Sequence, residues 1–361
     1  MMRRTPLAEV RAGMRLARPV YNQQGTLVIP VGTEVSEGHL RRLAETGFKE
    51  VFIDDPSVPD VAVQEAISET TKAAALEVLA ELFNKAEAGQ IKGDLGTLYD
   101  RVSQVVKDIQ DDLGSQRGKL IDPRIEVNGH DYLAAHTLAV TVLTMAVARL
   151  GSFAPKVFDL GLGAMLHDLG MALVPRELRA KPEPLSSPER LIVHRHPQDG
   201  LKLVEQTPAL SAFTKVIILQ HHERAGGSGY PRALKDKDIY PLAKLTAIID
   251  VYSALLAQRP FREAYSPQRA MDYIVSGAGF DFDFEMTHEF SLRVAPYPVG
   301  TIVTLSTGER GVVLSVKDGL VTRPVVRVFT DRAGKTTGGF ADVNLSQPEH
   351  QTTMIADPGQ S

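Results

Sequence analysis

The chain reads as mainly α: a helical core with a small α+β module at its N-terminus and a small β extension at its C-terminus. Three observations predict this. From about residue 61 to 295, apolar residues recur at helical spacing in one segment after another. Before residue 58 and after residue 296 the pattern shortens to alternation broken by glycine-containing turns. Seven of the ten histidines, from His130 to His222, fall inside the helical stretch, where buried imidazoles are costly unless they serve a site.

Length and composition set the outer limits. At 361 residues the chain has room for about two domains. A formal net charge of −4 leaves no basic footprint, so no nucleic-acid partner is expected and any anionic ligand must be held by a local arrangement. There is no cysteine, which removes disulfides, thiolate metal sites and thiol nucleophiles together, so metal ligands must be His and Asp/Glu. No apolar run approaches about 18 residues and the first residues lack a secretory core, so the expectation is a cytoplasmic protein without a membrane span.

Residues 1–58 form the first module. RLARPVY and TLVIPVG read as strands joined by Asn22-Gln23-Gln24-Gly25, a loop of hairpin length. Ser36 is placed as the N-cap of a helix carrying Leu40 and Leu43 and ending at Gly47; EVFID is a short strand, and Pro56 and Pro59 mark the exit. Residues 59–114 read as a helical connector with Leu76, Leu79 and Leu82 as its densest stripe. These helices suit the central domain, a second copy of the chain (a homodimer through residues 61–114), or both.

Residues 115–295 read as helix after helix, including DYLAAHTLAVTVLTMAVARLG, apolar almost all round, and SPERLIVHRHPQDGLKLVEQ as one helix. A hydrolytic two-metal site needs two divalent ions about 3.5 to 4 Å apart, bridged by a carboxylate, with imidazoles and carboxylates filling the remaining positions. Five histidines and two aspartates suffice. His136, His167, Asp168, His196, His221, His222 and Asp250 are that number, each in an apolar helical context or at a helix end. Neighbours on a helix point about 100° apart, so the pairs His167-Asp168 and His221-His222 are not ordinary members of one apolar stripe. Asp168 is the natural bridge, because a carboxylate has two oxygens for two ions.

These motifs resemble the HD-GYP family, a branch of the HD phosphohydrolase superfamily whose members hydrolyse cyclic di-GMP. His167-Asp168 is similar to the HD pair and Gly229-Tyr230-Pro231 to the GYP signature; the likeness covers about residues 130–295. It implies an HD-type helical bundle, the same seven metal ligands, a dinuclear iron or manganese centre with Asp168 and His167 at the heart of catalysis, and cyclic di-GMP or a related cyclic dinucleotide as substrate, opened to pGpG and on second cleavage to GMP. The first module also resembles an accessory domain of such enzymes, and residues 296–361 their β extension, whose own alternation suggests a small barrel or sheet.

The chain departs from the family at four positions. Met171 stands where the family has a Lys, Tyr132 where a subset has a Glu ligand, Gly226 where an acidic residue precedes GxGYP, and Ser253 where a second Asp follows Asp250. Arg259, Arg262 and Arg224 are the candidates to grip phosphate or a guanine edge, since guanidinium forks suit both. The GYP loop, with Tyr230, reads either as a tight amphipathic plug or as a wall of the site and a surface for a signalling partner. His194, two residues before His196 on a continuous helix, is expected to face away and be exposed, and His39, His288 and His350 to lie on the surface. The competing functional expectation is a weakly active or inactive domain that binds the nucleotide or a protein.

Overall fold

The computed structural model describes residues 2–21, 27–46, 48, 50–54, 66–115, 132–151, 153–257 and 264–356. They divide into two units, one of residues 2–54 and 295–356, the other of residues 66–115 and 132–294. Among the described residues, eleven α-helices lie in the second unit and one in the first, so the architecture is mainly α as the periodicity predicts. The helices of 59–114 and those of 115–295 therefore pack as one unit.

In the first unit, β1 (Met2–Pro6) pairs antiparallel along its whole length with β5 (Glu50–Asp54), and β2 (Arg15–Leu16) pairs with the far end of β5. β3 (Val20–Tyr21) pairs separately with β4 (Leu27–Ile29). The segment expected as one strand, RLARPVY, is thus two strands in two sheets. The Asn22–Gly25 turn, Gly47, Pro56 and Pro59 lie outside the described residues. α1 (Glu37–Glu45) begins at Ser36, whose side chain accepts from His39 N while His39 Nδ1 accepts from Ser36 N. His39 is therefore half of a capping box, a role its isolation in sequence does not suggest. Val10, Leu16, Val20, Ile29, Val35, Leu43, Val51 and Ile53 close this core.

Later in the same unit, five antiparallel strands run in the order β10-β6-β7-β8-β9: β6 Ile302–Leu305, β7 Arg310–Ser315, β8 Val325–Thr330, β9 Thr336–Asn344 and β10 Ile355–Ala356. Alternation sends Val303, Leu305, Val313, Val326 and Val328 to one core and Val312 with Phe329 to the other face. Of the two forms expected, an open sheet is the one observed.

The helical unit starts with α2 (Glu69–Glu87) and α3 (Leu98–Ser115), tied at one end by Ser68 N–H donating to Asp112 at 2.8 Å. Their stripes, Leu76, Leu79, Leu82 and Phe83 on one, Val102, Val106, Ile109 and Leu113 on the other, are buried against each other and the helices that follow. α4 (Tyr132–Ala148) is buried nearly all round, packed on α5 (Val157–Leu166) and α10 (Pro241–Leu256), as an all-apolar helix must be. Short α6 (Arg176–Arg179) leads to α7 (Ser187–Val193) and α8 (His196–Val204), then α9 (Ala212–Gln220), α11 (Pro267–Ser276) and α12 (Phe284–Arg293). The stretch expected as one helix from Ser187 breaks at His194-Arg195, where Pro197, lacking an N–H, suits the first turn of a new helix and not the interior of a continuing one. No helix among the described residues is long and apolar enough to cross a membrane.

Candidate metal centre

Helix ends carry the site. His167 is the C-cap of α5, Asp168 opens the 3-10 helix Leu169–Leu173, His196 is the first residue of α8, and His221 is the C-cap of α9 with His222 just beyond. His136 and Asp250 project from the middle of α4 and α10. All seven expected ligands converge, and all except half-buried His222 are buried. Because the adjacent pairs sit where helices stop, neither pair is bound by the 100° step of a helix interior.

Backbone carbonyls fix the tautomers of three rings. The Nδ1 atoms of His167, His196 and His221 lie 2.7, 2.8 and 2.9 Å from the carbonyls of Ala164, Val193 and Ile218, each three residues earlier in the chain. A carbonyl only accepts, so each Nδ1 carries the proton and each Nε2 turns a lone pair to the centre. His136 has no such carbonyl: its Nε2 lies 2.9 Å from Asp250 Oδ1, and the Ser253 hydroxyl lies 3.4 Å from its Nδ1. Ser253, the departure beside Asp250, thus lies against a ring of the cluster.

The donors fall into two groups with Asp168 between them. Its Oδ1 lies 3.2 Å from His196 Nε2 and 3.8 Å from His221 Nε2; its Oδ2 lies 3.4 Å from His167 Nε2 and 3.9 Å from His136 Nε2. Asp250 faces His136 through Oδ1 and His222 Nδ1, at 3.6 Å, through Oδ2. Asp168, His196, His221 and His222 offer ligand atoms within 4.8 Å of one another, as do His136, His167 and Asp250.

The residues fit divalent metal. His167 Nε2 is buried without a hydrogen-bond partner among the described residues, and the Nε2 atoms of His196 and His221 face each other at 3.2 Å with neither carrying the ring proton. Both features are costly unless a cation occupies the space between the rings. Electrostatics keep four of the donors in their ligating forms. Burial pushes the His167 imidazole down to about 4 and that of His222 well below its ordinary value. Burial pushes the Asp168 and Asp250 carboxyls upward, but the surrounding imidazoles outweigh it and hold both well below the carboxylate range. Neutral imidazole and ionised carboxylate are what a metal requires. Without sulfur, the set suits iron, manganese or zinc and does not select copper(I).

Two glycines let the elements meet. A Cβ at Gly170 would fall 2.0 Å from His196 O and 2.6 Å from Gly200 N, so only glycine lets the segment after Asp168 cross the start of α8. A Cβ at Gly229 would fall 2.4 Å from Arg224 N and 2.5 Å from His222 O, so the GYP loop folds directly onto the histidine pair. At Gly226, a Cβ would meet Phe280 O at 2.9 Å, so the acidic side chain expected there from the family has no space.

The remaining candidates diverge. Tyr230 stacks on His222, and burial together with the Asp250 and Asp168 carboxylates pushes its phenol upward, so it stays protonated. Arg224 donates to the carbonyls of His221 and Glu223, pinning the turn that carries the pair and leaving less of its fork for a phosphate. Arg259 and Arg262 lie outside the described residues. Tyr132 stacks over His136 with ring centroids 5.5 Å apart, and Met171 is half-buried. Sequence reasoning missed Glu223, buried and accepting from Arg232 N and Leu234 N at 2.8 Å each; an acid directly after two histidines on an apolar helix was the available signal. It also placed His194 on the exposed side, whereas the break between α7 and α8 turns that ring onto Tyr230.

The chain is similar to known proteins over most of its length. An HD domain matches residues 121–286, and a KOW domain associated with HD domain matches residues 302–358. The chain is 30% identical over 371 residues to the cyclic di-GMP phosphodiesterase PA4108 of Pseudomonas aeruginosa, covering 93% of this chain and 87% of that protein. The chain belongs to the HD-GYP family. It is also 34% identical over 145 residues to the cyclic di-GMP phosphodiesterase response regulator RpfG of Xanthomonas campestris, covering 39% of this chain and 38% of the relative. Bd1817, an HDG"Y"P protein from Bdellovibrio bacteriovorus, superposes with a TM-score of 0.48 at 17% identity, over 81% of this chain and 98% of that one.

Proposed function

We propose that this HD-GYP protein is a metal-dependent phosphodiesterase that opens cyclic di-GMP to pGpG, with GMP from a second cleavage, and so lowers the level of a bacterial second messenger. The observation that carries the reading is Asp168, whose two carboxylate oxygens each face a separate imidazole group. His196, His221 and His222 would hold one ion and His136, His167 and Asp250 the other, with Asp168 between; iron or manganese is the metal pair we infer. When bound, such ions polarise a phosphodiester and lower the pKa of water enough to attack it.

The chain's own residues supply the rest. Asp168 and Asp250 held ionised, and His167 and His222 held neutral, keep these four donors ready near neutral pH. Asp168, together with His167, organises the reacting centre, and protonated Tyr230 offers a hydrogen bond at its edge. Arg259 and Arg262 remain the candidate phosphate contacts, with Arg224 holding the turn.

The curated relatives favour cyclic di-GMP, while two Vibrio cholerae relatives bear the name 3'3'-cGAMP-specific phosphodiesterase, so base choice belongs to the test. In this reading the enzyme works in the cytoplasm, and the GYP loop is the surface for a signalling partner. A homodimer through α2 and α3 would have to use their charged outer face, where Arg101 pairs with Glu77 and Glu81, because their apolar stripes are already buried.

Incubating iron- or manganese-loaded protein with cyclic di-GMP and with 3'3'-cGAMP, then separating the products, tests the reading. Formation of pGpG supports it. Tight nucleotide binding without turnover under either metal would replace it with a binding module.

A further inference from the structure

One imidazole outside the ligand set is engaged with the site. His194 caps the C-terminus of α7, and its ring lies flat on Tyr230 with centroids 3.8 Å apart and planes 5° from parallel. His222 stacks on Tyr230 at 4.7 Å and 29°, and His196 meets it edge-on at 6.1 Å. Two rings this close to one centroid cannot share a face without overlapping, so Tyr230 is sandwiched between His194 and His222.

The backbone beneath Tyr230 is anchored independently. Its N–H donates to His222 O at 3.2 Å, and the Glu223 carboxylate accepts from the N–H groups of Arg232 and Leu234. Those bonds place the loop but leave the side-chain torsions of Tyr230 open. What sets the ring is what covers its faces: one is covered by His222, the other by His194.

We propose that His194 is a positioning residue for Tyr230: by covering the outer face of the ring it keeps the phenolic hydroxyl at the edge of the carboxylate–imidazole cluster, where it donates to a phosphodiester oxygen of the substrate. This rests on the phosphodiesterase reading. A consequence follows for specificity: with both faces occupied, Tyr230 offers no platform for a purine, and its hydroxyl is its sole contact with the nucleotide. Aromatic stacking is the property used, so an aromatic replacement of His194 keeps it and a small one loses it.

The test uses the full chain with His194→Ala, His194→Phe, Tyr230→Phe and the double variant His194→Ala/Tyr230→Phe. Tetranitromethane nitration of Tyr230 is followed by peptide mass spectrometry in metal-free protein, and kcat and KM for cyclic di-GMP are measured in manganese-loaded protein alongside bound metal. Loss of one stacked face raises the nitration rate and lowers kcat by about 3- to 10-fold, with metal content unchanged. His194→Phe restores both values, and His194→Ala adds little in the Tyr230→Phe background, as expected of residues acting as a unit.

Unchanged nitration in His194→Ala overturns the proposal, as does a kcat loss that Phe does not rescue or that follows metal loss. A parent chain with no turnover would sink the phosphodiesterase reading instead; the nitration comparison would still decide whether His194 sets the ring.

Discussion

His196 Nε2 and His221 Nε2 face each other at 3.2 Å while the Nδ1 atoms of both rings are held by the carbonyls of Val193 and Ile218. Two lone pairs at that separation repel, and the conflict ends when a cation sits between them. Chelation should therefore lower the thermal midpoint and manganese restore it, with a gain of about 2.7 kcal/mol at a hundredfold excess over Kd. Differential scanning calorimetry reads this directly; a midpoint indifferent to metal would contradict the assigned donor set.

The metal-free protein should lose stability in mild acid. Burial pushes His167 from 6.5 down to about 4, so the unfolded chain takes up a proton that the folded chain refuses between those values. Its contribution is complete above pH 6.5 and is lost as pH falls toward 4, by on the order of 3 kcal/mol. His222 acts in the same direction. Asp168 and Asp250, held low, add a second loss only below their ordinary 3.8. Chelated protein should melt earlier at pH 5 than at pH 7, and equal midpoints would show that His167 is protonated in the fold.

The Ser253 hydroxyl lies against Nδ1 of His136, so Ser253→Ala should free that ring while leaving the cluster's donors in place. Metal affinity should fall by about 10- to 100-fold, the usual effect of removing an outer partner of a ligand. Metal titration by isothermal calorimetry measures it. Asp168→Ala should cost more, since it removes a donor from both groups at once.

Gly170→Ala inserts a methyl group 2.0 Å from His196 O. The crossing must open, which costs about 1 to 3 kcal/mol or more and draws His196 from Asp168. A lower unfolding midpoint together with reduced metal content is the expected pair of results; a fully metallated, equally stable variant would contradict the close approach.

Met171, half-buried three residues after Asp168, replaces the Lys of the family pattern. Met171→Lys should raise phosphodiesterase activity, by roughly the 10- to 100-fold scale of a residue adjacent to a metal site. Steady-state kinetics with cyclic di-GMP decide it. Unchanged or lower activity would mean that the native chain does not lack this cation.

Much was legible before any coordinates. The seven donors share a chemical type and an apolar setting, and both signals are local, so they survive in a string of residues. Ser36 as a cap and Leu76, Leu79 and Leu82 as a buried stripe were readable for the same reason. Other features were not. β1 pairs with β5 across some 50 residues of chain, and RLARPVY divides between two sheets, because strand pairing depends on partners that local propensity does not name. His194 was misplaced because a continuous helix would turn it away, and the break before Pro197 brings it back.

By itself the sequence determined which groups could bind metal, their number, and the mainly helical frame holding them, since residue chemistry and periodicity are properties of short segments. The tertiary structure decided which atom of each group faces inward: His136 meets Asp250 across 114 residues, and Asp168 divides its oxygens between two sets of rings. Those choices follow largely from helix ends brought together by burial, where backbone carbonyls leave the rings of His167, His196 and His221 one direction to point.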